Sequence, residues 1–178
     1  MLAIWKREVQ NYLLTPIGYV FMGMFLLLGG VFFTLGNLMS GSSDISSVLS
    51  NLSFVLMLLV PILTMKLLSE EKRNKSDQLL ITSPRSIWDI VLGKYLAAVT
   101  VLAVSMIVTL FYVVIVAVYS TPHWGVIFTN YLGFLLMGMC YIAIGVLMSS
   151  LTESQVSAAV LTLGINILLQ FLEYYGPQ

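Results

Sequence analysis

Charged side chains are scarce in this chain of 178 residues: 9% are Asp, Glu, Lys or Arg, whereas 59% are hydrophobic. A soluble domain carries roughly 25% charged and about 45–50% apolar residues. A water-soluble fold could not bury this much apolar surface, but a lipid bilayer can cover it. The shortage of charge therefore excludes an ordinary soluble domain and predicts an all-α, polytopic membrane protein.

Cysteine and histidine are nearly absent. The single cysteine, Cys140, lies in an apolar run, so the chain forms no intrachain disulfide, and no metal-ligand spacing is present. The single histidine, His123, has no carboxylate near it in the sequence and is a poor candidate for a catalytic base. The pair Gly93-Lys94 lacks the remainder of a phosphate-binding loop. We therefore expect no catalytic residue, no metal site and no cofactor bound by this chain.

Ionisable residues are also missing from the middle of the apolar segments, where an ion pump or an intramembrane enzyme would need them. Lys66 and Lys94 stand at segment ends, from which a lysine extends to the membrane surface. The deeper polar residues are neutral. Among them, Asn166 and Gln170 are expected to join helices by hydrogen bonds, and the alternative is a place in a transport pathway.

Five long apolar segments are present, and each is predicted to cross the membrane as a helix. The first has 22 residues, which at about 1.5 Å per residue match a hydrocarbon core of about 30 Å. It is also longer than the apolar region of a signal peptide. We predict one transmembrane domain, 1–178, with spans at 17–38, 52–68, 95–119, 125–148 and 156–172.

The basic residues are distributed on one side of the predicted spans. All eight lie in the N-terminal segment, at Lys66, or between Ser69 and Lys94. The connections after the first and third spans have none. By the positive-inside rule, the N-terminus and the connection 69–94 lie in the cytoplasm. We expect a multi-pass protein of the cell membrane.

The segment before the first span, residues 1–15, has apolar residues at helical spacing, among them Trp5 and Tyr12. Its polar residues fall largely on the other face. This pattern predicts a helix in the cytoplasmic interface with both aromatic side chains at headgroup depth. Thr15-Pro16 is expected to end the helix. The alternative is that the segment is only the flank of the first span.

The connection 69–94 is longer and more charged than a simple link between two spans requires. It begins with the run Glu70-Glu71-Lys72-Arg73 and then exposes the pair Leu79-Leu80. Ser83 is a good N-cap and Pro84 a good first residue for a following helix. We predict two helices that meet at a turn and could dock into a groove on another protein. The alternative is a solvated, charged loop.

These features resemble the permease subunits of the ABC-2 class of ABC transporters, and they are similar to the gliding-motility and nitrous-oxide-reductase-associated permeases. The family's order of an acidic-basic run, a Leu-Leu pair, a Pro and a Gly-Lys recurs between residues 70 and 94. Asn74–Asp77 departs from the usual Gly-Thr-x-Glu. The stretch 149–155 and the opening Trp5, Lys6, Arg7 and Glu8 with the later Pro16 are also similar, so the resemblance covers nearly the whole chain.

The resemblance implies a non-catalytic permease, in most of the family an exporter, with residues 1–15 as an elbow helix. Its expected partners are an ABC ATPase that uses ATP and Mg²⁺, a second permease chain in a homo- or heterodimer, and the lipid bilayer, but no nucleic acid. The implied ATPase-coupling interface consists of Glu70, Glu71, Lys72, Arg73, Asp77, Leu79, Leu80 and Pro84.

The family has six spans, whereas this sequence shows five. We expect either a truncated chain or a gene product that lacks the sixth span. A non-transporting membrane scaffold or assembly subunit is the alternative function, and an intramembrane enzyme is a third. The residues do not identify a substrate.

Overall fold

The computed structural model describes residues 2–41, 44–69, 87–119 and 124–175. Within these ranges the chain forms six α-helices. Five of them, α2 to α6, are long and apolar enough to cross a membrane. This confirms the predicted all-α, polytopic membrane fold. The helices are α1 Leu2–Leu14, α2 Pro16–Phe33, α3 Ser46–Thr64, α4 Ile87–Tyr119, α5 Trp124–Leu151 and α6 Gln155–Tyr175.

The corner between α1 and α2 forms where the sequence predicts a break. Thr15 has extended backbone angles, φ −96° and ψ 149°, and Pro16 begins α2. Proline suits this position because the first helical N–H has no partner within the helix. Gly18 makes the corner tight, since a Cβ there would lie 2.8 Å from the carbonyl carbon of Tyr12. The chain therefore turns sharply from α1 into the first span.

The opposite end of α2 continues into a π-helical turn, Thr34–Leu38. Asp44 then prepares the start of α3, because its Oδ1 accepts a hydrogen bond of 2.9 Å from the backbone N–H of Ser46. A carboxylate at a helix N-terminus satisfies a free N–H group and complements the helix dipole. The helix with the second span consequently begins at Ser46 rather than at Leu52, where the apolar run starts.

Helix α3 lies at the centre of the bundle and packs against α2, α5 and α6. Its buried residues recur at helical spacing and include Leu52, Leu56, Val60 and Leu63, each no more than 1% exposed. Lipid tails are as apolar as these side chains, so helix association in a bilayer depends on close packing and hydrogen bonds rather than on the hydrophobic effect. The contacts of α3 with its neighbours therefore define the core.

Helix α5 packs closely against α3 at Gly145. A Cβ at Gly145 would lie 2.7 Å from the Cβ of Thr64, a fully buried residue of α3. Thr64 has little freedom to move away, because its hydroxyl donates a 2.9 Å hydrogen bond to the carbonyl of Val60. Gly133 also lies on α5, but no atom is found within 4 Å of its Cβ position. Of these two glycines, only Gly145 has a packing role among the described residues.

Replacing Gly145 by alanine is therefore expected to lower the free energy of unfolding by about 2 kcal/mol, the usual cost of overpacking a core. The matched control is Gly133→Ala on the same helix. It should be neutral or stabilising by up to about 1 kcal/mol, because alanine loses less backbone entropy in a helix. Reversible unfolding of the purified variants in mixed micelles measures both values, and equal effects of the two substitutions would contradict the packing role.

The neutral polar residues of the spans behave in two ways. Asn130 of α5 donates a 2.7 Å hydrogen bond from Nδ2 to the hydroxyl of Ser46 and so joins α5 to the start of α3. Asn166 is fully buried, but neither atom of its amide has a hydrogen-bond partner within the described parts of the chain, and the same is true of Gln170 Oε1. The predicted interhelical bonds of Asn166 and Gln170 are therefore not found there.

Candidate functional site

The predicted coupling segment is continuous with two described ends of the chain. Residues 70–86 lie outside the described residues, and with them all eight predicted interface residues: Glu70, Glu71, Lys72, Arg73, Asp77, Leu79, Leu80 and Pro84. Ser69 leads into this segment and Ile87 follows it. The candidate site is therefore built from the residues that hold these two ends in place.

Both ends lie where α1, the end of α3, the start of α4 and the end of α5 meet, and we call this region the basic end of the bundle. Its described basic residues are Lys6, Arg7, Lys66 and Lys94. Lys6, Arg7 and Lys66 are exposed, whereas the side chain of Lys94 is buried.

The end of the second span leaves the helical conformation after Thr64, and residues 65–68 form turns. The backbone N–H groups of Leu68 and Ser69 donate hydrogen bonds of 3.0 and 3.1 Å to the Oγ of Ser149, a fully buried residue of α5. The Ser149 hydroxyl donates to the carbonyl of Met65 at 3.3 Å. One hydroxyl proton and two lone pairs suffice for these bonds.

Ser149 thus supplies hydrogen-bond partners to backbone groups in the non-helical turn that follows Thr64. Buried N–H and C=O groups outside a helix must find partners, and in a membrane protein non-helical backbone is tolerated only where protein or water supplies them. Because a single hydroxyl serves Met65, Leu68 and Ser69, the chain that leads into residues 70–86 is attached to α5.

Lys94, near the start of α4, binds the same turn from another side. Its ammonium group donates a 2.8 Å hydrogen bond to the carbonyl of Leu67 and lies 3.7 Å from Oε1 of Glu8 on α1. Lys94 is 4% exposed and the Glu8 side chain 13% exposed. The prediction that Lys94 extends to the membrane surface is therefore wrong: its charge is directed inward because a carboxylate and a carbonyl are within reach.

Helix α1 docks along the first turns of α4. The indole Nε1 of Trp5 donates a 2.9 Å hydrogen bond to Oγ1 of Thr100. Gly93 allows the close approach, since a Cβ there would lie 2.9 Å from Cγ2 of Ile4. Trp5 therefore contacts protein, whereas the sequence pattern predicts a place at headgroup depth.

Tyr12 fixes the other end of α1. Its phenol group donates a 3.0 Å hydrogen bond to the carbonyl of Leu63, and the side chain is 8% exposed. Burial, and to a smaller extent the nearby carboxylate of Glu8, raises the pKa of Tyr12 above its usual value. The phenol consequently stays neutral and remains a hydrogen-bond donor to α3.

Together these contacts attach the incoming end of the segment 70–86 to the surrounding helices, including α4, which follows the segment. The incoming end is bound to α5 through Ser149 and to α4 through Lys94, and α4 is bound to α1 through Glu8 and Trp5. We call Glu8, Leu67, Lys94 and Ser149 the junction. Polar contacts therefore link the end of α3 to α5 and α4, and α4 to α1.

Two residues of this region, Ser149 and Thr100, were not predicted as site residues. Glu8 was predicted as part of the elbow helix, but its ion pair with Lys94 was not predicted. One signal was present: Glu8 is the only acidic residue before the second predicted span apart from Asp44. In such an apolar chain, an isolated carboxylate near a predicted interface suggests a basic partner.

One known family matches most of the chain. Residues 37–175 match the model of a family described as ABC-2 family transporter protein. The match includes α3 to α6 and the predicted coupling segment. No curated protein matches the chain at a significant level. Since the family model covers well over half of the sequence and the fold is a bundle of five candidate spans, this chain belongs to the ABC-2 family and is a membrane permease component of an ABC transporter.

Proposed function

We propose that this chain is the permease subunit of an exporter driven by a separate ABC ATPase, which docks on residues 70–86. The observation that carries this proposal is the junction: the backbone that leads into the segment is bound to α5 through Ser149 and to α4, the helix that follows the segment, through Lys94. A solvated connecting loop has no need of such attachment, whereas a docking segment must pass its displacement to the spans.

In this proposal the basic end of the bundle faces the cytoplasm of a cell, as the positive-inside rule requires. The ATPase binds and hydrolyses ATP with Mg²⁺, while this chain contributes no catalytic group. Movement of the docked segment shifts Ser69 and Ile87. The junction then passes the shift to α3 through Leu67, to α4 through Lys94 and to α5 through Ser149.

The proposed assembly contains two permease chains and two ATPase subunits. The second permease is either a copy of this chain or a related chain. The candidate spans carry large apolar side chains on their outer faces, as surfaces that meet lipid or another permease do. The direction of transport, outward, follows the tendency of the family.

Docking is tested by co-purification of the full chain with ABC ATPases encoded by neighbouring genes. Leu79→Asp and Leu80→Asp should each reduce recovery of the ATPase about tenfold or more, because a charge in an apolar contact leaves an unpaired, desolvated group. Gln78→Asp is the matched control, since it adds the same charge one residue away from the leucine pair. It should change recovery less than twofold.

Retention of the ATPase by both leucine variants would refute the docking role of the pair. Function of the complex distinguishes the transporter from a membrane scaffold. If an ATPase variant that binds but does not hydrolyse ATP supports the same cellular phenotype as the wild type, the exporter proposal fails and the scaffold is favoured.

A further inference from the structure

A cavity of about 340 Å³ lies at the basic end of the bundle, beside the corner between α1 and α2. Its wall is formed by α1, the start of α2, the end of α3 and the start of α4. Most of the lining residues carry a polar or charged group, and these include Arg7, Asn11, Thr15 and Lys66. We propose that this cavity binds the phosphate headgroup of an anionic membrane lipid, a site that goes beyond the transport function proposed above.

The charge of the lining favours an anion. Three basic residues, Arg7, Lys66 and Lys94, and one acidic residue, Glu8, contribute to the wall. Glu8 lies 3.7 Å from Lys94, so this carboxylate is already matched. No carboxylate in the described ranges forms an ion pair with Arg7 or Lys66. These two cations are thus available for a phosphate, with which an Arg can form two charge-assisted hydrogen bonds.

The neutral members of the wall complete a phosphate site. Asn11 and Thr15 are exposed residues that line the cavity, and their amide and hydroxyl groups are hydrogen-bond donors. The phenol of Tyr12 also lines it but already donates to the carbonyl of Leu63. Cationic pockets between membrane helices on the cytoplasmic side are recognised sites for anionic headgroups.

Size and position favour a lipid over a free anion. A volume of about 340 Å³ is at the lower end of the range of about 300–1,000 Å³ for small-molecule pockets. It accommodates a headgroup but not acyl chains. Leu14 precedes the lining residue Thr15 and is 82% exposed, and Tyr19 at the start of the first span is 61% exposed. Acyl chains can cover this apolar surface while the phosphate enters the cavity.

Binding would stabilise the corner between α1 and α2. The site rests on α1, α3 and α4, the helices that Glu8, Leu67 and Lys94 already join. A lipid bound there adds a contact between Arg7 on α1 and Lys66 after α3. The occupied cavity therefore strengthens the attachment of α1 to the end of α3. This prediction does not depend on any transported substrate.

The experiment measures retention of defined lipids by the purified full chain in detergent at about 150 mM salt, using native mass spectrometry. The probes are phosphatidylglycerol, phosphatidylcholine with the same acyl chains, and inorganic phosphate. Phosphatidylglycerol should bind at least tenfold more tightly than phosphatidylcholine, and inorganic phosphate should not displace it. Arg7→Gln and Lys66→Gln should each weaken binding about tenfold or more, because each removes at least one charge-assisted hydrogen bond.

The controls lie next to the lining residues. Lys6→Gln removes the same charge from the neighbouring position of α1 but does not line the cavity, so binding should change less than twofold. Asn11→Asp adds a negative charge to the lining and should weaken binding about tenfold, whereas Gln10→Glu should not. All five substituted positions are exposed, so the variants are expected to fold.

Equal retention of the two lipids would overturn the proposal, as would equal losses with Lys6→Gln and Arg7→Gln, which would indicate attraction to surface charge alone. Displacement of phosphatidylglycerol by inorganic phosphate would assign the cavity to a free anion instead. Because none of these measurements uses the ATPase, failure of the lipid site leaves the proposed transport function standing, and the reverse also holds.

Discussion

Replacing Lys94 by methionine is expected to lower the free energy of unfolding by about 3 kcal/mol. The substitution leaves the carboxylate of Glu8 buried without its cation and removes the hydrogen bond to the Leu67 carbonyl. Breaking a buried ion pair by removal of one partner costs about 3–5 kcal/mol. We take the lower end of this range because the pair borders the cavity, which admits water. Reversible unfolding of the purified variant in mixed micelles measures the loss.

A double variant separates the charge from the packing. Glu8→Gln combined with Lys94→Met leaves no unpaired buried charge and should retain a loss of only about 1 kcal/mol, the value of the missing hydrogen bond to Leu67. Lys6→Met is the control, since Lys6 is exposed on the same α1 helix and its replacement should fall within about 0.5 kcal/mol of the wild type. If the losses of Glu8→Gln and Lys94→Met add up to the loss of the double variant, Glu8 and Lys94 do not interact.

Lys94→Met also tests the proposed coupling between the ATPase and the spans. If the junction passes movement from the ATPase to the spans, Lys94→Met should reduce stimulation of ATP hydrolysis by transported substrate while leaving ATPase binding intact, because Leu79 and Leu80 are unchanged. Comparison at a temperature where the variant is fully folded keeps the two effects apart.

Replacing Gly18 by alanine is the second substitution for which we expect a large loss, about 3 kcal/mol. A Cβ at this position overlaps the backbone carbonyl of Tyr12. Unlike the end of a flexible side chain, a backbone group cannot move without opening the corner between α1 and α2. Costs at the upper end of the overpacking range, about 1–3 kcal/mol, follow when the obstacle is rigid.

The displaced α1 should also lose its contacts with the bundle, which include the Tyr12 hydrogen bond to Leu63. Faster proteolysis within residues 2–14 would report this release. Gly23→Ala on α2 is the matched control, because no neighbouring group in the described part of the chain lies within 4 Å of its Cβ position. It should be neutral or slightly stabilising. Unfolding that is unchanged in Gly18→Ala would mean that the corner is looser than the structure shows.

Much of the fold was predictable from local sequence. Long apolar runs with almost no charge specify membrane spans, since the bilayer imposes both length and hydropathy on each helix independently. The Thr15-Pro16 break was predictable for a similar reason: the geometry of proline acts on adjacent residues. The start of α3 was less predictable, because the apolar run begins at Leu52, whereas the helix begins at Ser46, whose N–H donates to Asp44.

The contacts around the predicted coupling segment were not predictable from the sequence. Charge distribution and motif order indicate the connection 69–94, and the eight interface residues between Glu70 and Pro84 remain a prediction. The apolar face of α1 was predicted from its amphipathic pattern. That pattern is the same whether the aromatic side chains on this face contact lipid headgroups or other helices. Trp5 and Tyr12 could not be assigned from that pattern, because their partners Thr100 and Leu63 lie far along the chain.

The sequence by itself determined that this protein is a helical membrane protein of five candidate spans with its basic residues at one end, because hydropathy and charge act locally. Only the tertiary structure decided that Lys94 turns inward to Glu8 and Leu67, and that one hydroxyl, Ser149, holds the end of the second span. Burial of a charge or a free backbone N–H is tolerated only where a partner stands within hydrogen-bond distance. The hydrogen bond between Leu68 and Ser149 joins residues 81 positions apart in the sequence. Only the packing of the helices brings two such residues together.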